Sequence, residues 1–314
     1  MLFSFFFQGY GILSIVLSTI TIIIACFFAF FYFKDLEKID DSTSSKPWFK
    51  AALLFNIISS LGTFYLAYMM ASRNFNEHLY LASVYFYLHF QYNGFFIFTC
   101  LGLFFSESTS ILPQFKYNKL FFKLFYISFV PAYFLSTLWA KLPIWLYVIV
   151  AIAAFIQVFA WIKIIMAIKS GLKTGSTLTK FQSYLFLFVG IAFTIKLLLQ
   201  LGSTIPSVSD LAFGFRPIVI AYLHLVLLAV ISIFILTYMY TFKLISVNKL
   251  TTMALGLFTI GVLLNEIVLA IQGVAAFGYI VVKYVNGILF SISLLLLLGA
   301  VLMLLSQRNK AVEA

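Results

Sequence analysis

The chain holds three histidines, and two of them, His89 and His224, lie inside apolar stretches. An ionisable side chain within a membrane-length apolar run is costly and is usually there for function. A neutral imidazole carries one N–H donor and one lone pair, so it can ligate a metal or hydrogen-bond a neighbouring helix. His89 comes ten residues after Leu79 and His224 eight after Arg216. A helical rise puts them about 15 Å and about 12 Å deep if both runs enter from the same side. Two imidazoles at one level on parallel helices are the geometry of a six-coordinate haem b. Arg216, two turns from His224, could pair with a haem propionate, with Arg73 as a second candidate. The spacing leaves two other uses open: interhelical hydrogen bonding without a cofactor, and a metal site without haem, which is short of ligands. His78, in Asn74-Phe75-Asn76-Glu77-His78, reads as a solvated loop residue.

These residues need helices to position them, and the composition supplies them. Of 314 residues, 64% are hydrophobic and 9% charged, with a mean hydropathy of +1.11. Soluble domains run near 45–50% apolar and about 25% charged. A soluble interior cannot absorb that much apolar surface. The net charge of +11 therefore does not indicate a soluble nucleic-acid binder, and no nucleic-acid partner is expected. Nine runs are long enough to span a bilayer, at roughly 3–33, 49–72, 79–105, 120–140, 143–168, 182–204, 217–242, 251–277 and 284–306. Pro47, Pro143 and Pro217 fall at helix starts, where proline is tolerated. Pro131 falls inside the fourth run and predicts a kink. The run from Leu2 to Phe33 lacks a basic flank and is too long for a signal peptide, so it is expected to stay as a spanning helix. The polar stretches 34–48, 106–119 and 169–181 are too short for a soluble domain. No internal repeat is evident, and residues 1–314 are expected to form a single polytopic membrane domain.

Lysine and arginine set the expected orientation. Fifteen of the 20 lie in loops one, three, five and seven and the C-terminal tail, four (Arg73, Lys141, Arg216, Lys283) in the alternate loops, and Lys196 inside a helix. By the positive-inside rule the N-terminus is outside and the C-terminus cytoplasmic, in a cell (cytoplasmic or inner) membrane. An odd number of spans requires opposite sides, so the two counts agree.

Two segments resemble the catalytic subunit of the haem–copper oxidase superfamily, which includes the large subunit of nitric oxide reductases. One comprises Leu201-Gly202-Ser203-Thr204-Ile205-Pro206, Phe213-Gly214-Phe215-Arg216 and Ala221-Tyr222-Leu223-His224-Leu225; the other is Tyr87-Leu88-His89-Phe90-Gln91-Tyr92-Asn93. The likeness covers residues 79–106 and 190–240. It implies that His224 and His89 are the two ligands of a low-spin haem. Tyr222 stands where that family has its high-spin haem ligand. The family's full set of haem and copper ligands needs more histidines than the three present, and its members have more helices. The resemblance therefore implies a reduced member that keeps the low-spin haem and lacks the oxygen- or nitric-oxide-reducing centre.

Lys196 and Glu266 are the two formally charged residues well inside the runs. They lie 14 and 15 residues from the cytoplasmic ends of runs six and eight, so a buried ion pair is the simplest expectation. Proton handling or a quinone-site acid is the functional alternative. Gln200, Asn265 and Gln272 could extend this network. Gln91 and Asn93 could orient His89. Tyr85, Phe86, Phe90, Tyr92 and Phe96 surround His89, as stacking partners for a macrocycle or as lipid-facing packing. Cys26 and Cys100 read as small apolar filler. No P-loop, dinucleotide glycine fingerprint, zinc-protease motif or nucleophile–base arrangement is present, so no enzymatic reaction is assigned.

The expected protein is thus an all-α, nine-span integral membrane protein resembling a cytochrome b, with haem b on His89 and His224. It would carry electrons between a membrane quinol and an outer-side partner, or sense redox state or haem ligands. The alternative is a cofactor-free membrane subunit or transporter whose histidines and Lys196–Glu266 pair are interhelical polar contacts.

Overall fold

A computed structural model describes residues 2–9, 11–39, 45–72, 75–209 and 216–308. Arg73, the Phe213-Gly214-Phe215 part of the family-like motif and Lys310 lie outside the described residues. Those residues are helical, with no strand among them. Among the described residues, nine helices are long and apolar enough to cross a membrane: α1 (Ile12–Lys38), α2 (Lys46–Ser72), α3 (Glu77–Ser106), α4 (Lys119–Ala140), α5 (Ile144–Thr174), α6 (Lys180–Gly202), α7 (Arg216–Thr241), α8 (Lys249–Ala276) and α9 (Val285–Ser306). This is the architecture of a multi-pass helical membrane protein.

Local chemistry fixes many of the ends. Asn76, Asn118 and Asn248 accept the backbone N–H of Leu79, Leu120 and Thr251, and Thr179 and Gln182 form a reciprocal capping box at α6. Pro47 and Pro217 are the second residues of α2 and α7, and Pro143 caps α5. The first apolar run is not one helix. A short helix, Leu2–Gln8, stops before Gly9, whose φ of +57° is a helix-ending conformation that glycine adopts readily.

The chain packs as two compact units. The first holds α1–α4. Its core is aromatic: the Trp48 ring lies tilted against Phe98 and Phe105, 5.3 Å from each, its indole N–H donates to Tyr117 Oη at 3.0 Å, and the Phe55 ring lies 4.0 Å from that of Phe129. α2 runs along the whole of α3. At Gly62 a Cβ would come within 2.7 Å of the Ser83 carbonyl oxygen, so glycine permits the close approach of these two helices.

The second unit holds α5–α9 together with residues 110–114. α8 and α9 form a close hairpin in which a Cβ at Gly299 would lie 3.1 Å from the Phe258 backbone. The α7–α8 connection is tied to the end of α9, where Ser246 N–H donates to Gln307 and Asn248 donates to the Ser306 carbonyl.

α4 breaks where proline predicts it. Pro131 is followed by a change from α- to 3₁₀-helix at Tyr133, and Thr137 leaves helical geometry with φ −120° and ψ 17°.

Candidate functional site: two histidines at the heads of π-helical turns

α3 and α7 share an irregularity. In α3 the α-helix gives way to a π-helix over His89–Phe96, and in α7 over Leu225–Ser232. The same tripeptide stands at each change: His89 of Tyr87-Leu88-His89 is the first π-helical residue, and His224 of Tyr222-Leu223-His224 is the residue just before the second π-helix. Each lies on the third span of its unit. No repeat was expected from the sequence. The tripeptide was legible there, but its meaning depends on the π turn that follows it. Such turns are rare and concentrate at functional sites.

His89 is 2% exposed. Its Nε2 lies 3.0 Å from the Phe129 carbonyl oxygen. A carbonyl only accepts, so Nε2 carries the proton and the lone pair sits on Nδ1. The carbonyl is available because α4 tightens. Tyr133 N–H bonds to Val130 and Pro131 oxygens instead of reaching back to Phe129. The His89 ring stacks on Phe129 at 4.5 Å and meets Phe90 and Tyr133 edge-on. Tyr133 Oη donates to the Ala82 carbonyl, tying α4 to α3. Gly94, inside the π turn, has no room for a Cβ, which would fall 2.8 Å from both Phe129 Cζ and Phe55 Cβ.

The expected orienting amides are placed differently. Gln91 Oε1 turns towards α2, 2.9 Å from Ser59 Oγ. Asn93 Oδ1 is buried without a hydrogen-bond partner. The group that orients His89 is a main-chain oxygen of α4.

His224, the last α-helical residue before the second π turn, is half-buried. Its Nδ1 lies 2.9 Å from the Ile220 carbonyl one turn back, so Nδ1 donates and the lone pair is on Nε2. Arg216 is the first residue of α7 and exposed, and Tyr222 is half-buried. His78 is not a loop residue but the second residue of α3, exposed and stacked on Trp139 at 5.4 Å.

Both imidazoles thus have one N–H fixed by a main-chain carbonyl and a lone pair on the other nitrogen, as metal-ligating histidines usually do. The donor chemistry fits an axial haem ligand at each. Among the described residues no three of His, Cys, Asp and Glu come together as a metal group. Cys100 is buried and Cys26 half-buried, and both are free.

The expected Lys196–Glu266 ion pair is absent; the ion pairs among the described residues are Lys38–Asp35 and Lys50–Glu37. Lys196 on α6 is 3% exposed, and its Nζ lies 5.5 Å from the Phe193 ring centroid. Glu266 on α8 is half-buried and lies 3.4 Å from the Asn265 amide. α6 packs chiefly on α5 and α7 and meets α8 near its own start, where Phe181 and Leu185 lie against Gly256 and Leu255, so equal depth does not bring the two side chains together. Gln200 is buried one turn beyond Lys196.

Comparison of the chain with protein-family models, curated proteins and solved structures finds no match.

Proposed function

We propose that the chain is a membrane-embedded, cytochrome b-like haem protein, with axial nitrogens from His89 and His224 and Arg216 as a propionate partner. One observation carries it. The same tripeptide twice presents a histidine at the head of a π turn, with one ring N–H held by a main-chain carbonyl. Haem b, when bound, supplies one-electron redox chemistry at its iron. The chain's own part is to fix each ring's tautomer and, around His89, to keep water out with Phe90, Phe129 and Tyr133. With His89 and His224 holding it, haem would serve electron transfer between a membrane quinol and an outer-side partner, or sensing of redox state or haem ligands. An oxygen- or nitric-oxide-reducing centre is not part of this proposal. The chain sits in the cell membrane with its N-terminus outside and C-terminus inside, as the lysine and arginine count supports.

The test is a pyridine haemochrome assay and a reduced-minus-oxidised spectrum of the purified chain. A b-type band lost in both His89→Ala and His224→Ala is the expected result. A colourless preparation, or a band unchanged in either variant, overturns the proposal.

A second function, that of a cofactor-free membrane subunit or transporter, is favoured by one fact. His89 already does a structural task, bridging α3 to the broken helix α4.

A further inference from the structure

We propose that Lys196 and Gln200 bind the headgroup of a membrane quinol near the C-terminal end of α6. This deepens the electron-transfer function proposed above by assigning its lipid-soluble partner a place, and the site's geometry does not itself depend on haem.

Among the described residues no hydrogen bond or ion pair reaches Lys196 Nζ, although the residue is 3% exposed. Its one neighbour of electrostatic note is the Phe193 ring face, 5.5 Å away. Gln200 Oε1 is buried and also has no hydrogen-bond partner. The two residues are four apart on one helix and so share a face. Buried polar groups are normally satisfied, and an ionisable side chain within a membrane span points to a ligand by default. The adjoining polar groups are satisfied without these two: Trp161 Nε1 donates to Thr194 Oγ1 at 2.8 Å, and the indole meets Phe193 edge-on at 4.7 Å. Neither Lys196 nor Gln200 is needed for that tie between α5 and α6.

From the π turn onward α7 packs against α6, whereas its first part, Arg216–His224, packs chiefly against α8. On the lipid side, Ile195, Leu198 and Leu199 border Lys196 and are exposed. A ligand arriving there comes through hydrocarbon, so it must be apolar overall. It must also offer an acceptor oxygen to Nζ and an O–H to Gln200 Oε1. A carboxylate offers acceptors alone and would set an oxygen against Oε1. A quinol hydroxyl both accepts and donates, on a flat ring with an apolar tail.

The experiment uses the purified full chain in detergent without oxygen, a decyl-chain benzoquinol as probe, and quenching of tryptophan fluorescence as readout. Lys196→Met and Gln200→Leu are each expected to weaken saturable binding by about tenfold or more. Lys196→Arg keeps the donors and should stay close to the parent. Lys163→Met, which removes the other ammonium stacked on a ring, at Phe159, should leave binding unchanged. Absence of saturable binding in the parent chain overturns the proposal, as does equal affinity in a folded Lys196→Met. A Lys196→Met chain that only melts higher, with unchanged quinol affinity, also overturns it. Haem is measured on the same samples. Quinol binding by a haem-free chain refutes the haem proposal and upholds this site, whereas a haem-loaded chain without quinol binding does the reverse.

Discussion

His89 on α3 donates its Nε2–H to the main-chain oxygen of Phe129 on α4, at 3.0 Å. The bond exists because α4 stops being α-helical four residues after Phe129. Tyr133 N–H, the usual partner of that oxygen, turns to Val130 and Pro131 instead. A histidine and a helix break are thus two halves of one device.

Pro131→Ala should weaken that device without touching His89. An N–H restored at 131 favours a continuous α4, in which Tyr133 N–H returns to Phe129 and competes with the imidazole. The expected outcome is a redistribution of the His89 tautomers, read as nitrogen shifts in selectively labelled protein. Unchanged shifts would mean that the 3₁₀ segment forms without the proline.

Gly94→Ala should be disproportionately harmful. Its Cβ would meet Phe129 Cζ and Phe55 Cβ at 2.8 Å, both from rings wedged in the core of the first unit. Overpacking of this kind costs about 1–3 kcal/mol. Because Phe129 also stacks on His89, the proposed haem, where bound, should be lost as the melting temperature falls. Gly190→Ala, with open space around its Cβ, serves as the control and should be nearly silent.

The helices were readable because burial in lipid demands long apolar runs, and capping and proline chemistry punctuate them locally. Seven of the nine helices start and stop close to the expected limits; the exceptions are the first, split at Gly9 by a positive φ that composition does not reveal, and the fifth, which runs on to Thr174 through residues expected to be a polar connection. The candidate site was legible as residue types, since histidines in apolar runs stand out. What the sequence concealed was non-local. The acceptor for His89 is a backbone oxygen forty positions away, and its availability depends on a helix tightening that only Pro131 foreshadows. The Lys196–Glu266 pairing failed for a similar reason. Depth along the chain says nothing about where two helices touch, and α6 packs chiefly against α5 and α7, meeting α8 at Phe181 and Leu185 rather than at Lys196.

Lys196 and Glu266 should therefore behave independently. Lys196→Met and Glu266→Gln are expected to add in a double-mutant cycle to within about 0.5 kcal/mol, as distant sites do. Thermal unfolding in one detergent gives the four stabilities required. A coupling well above that value would show that the two groups meet in the folded chain.

The orientation drawn from charge can be tested with the two native cysteines replaced by alanine and single cysteines introduced at loop lysines. Lys141 lies between α4 and α5 and Lys283 between α8 and α9, in loops expected outside. Lys173, at the end of α5, and Lys243, after α7, are expected inside. A membrane-impermeant maleimide added to intact cells should label Lys141→Cys and Lys283→Cys, and leave Lys173→Cys and Lys243→Cys unlabelled until the membrane is opened. The inverse pattern would turn the bundle over. The start of α7, with Arg216, would then face the cytoplasm, and any partner exchanging electrons through that end would have to be cytoplasmic.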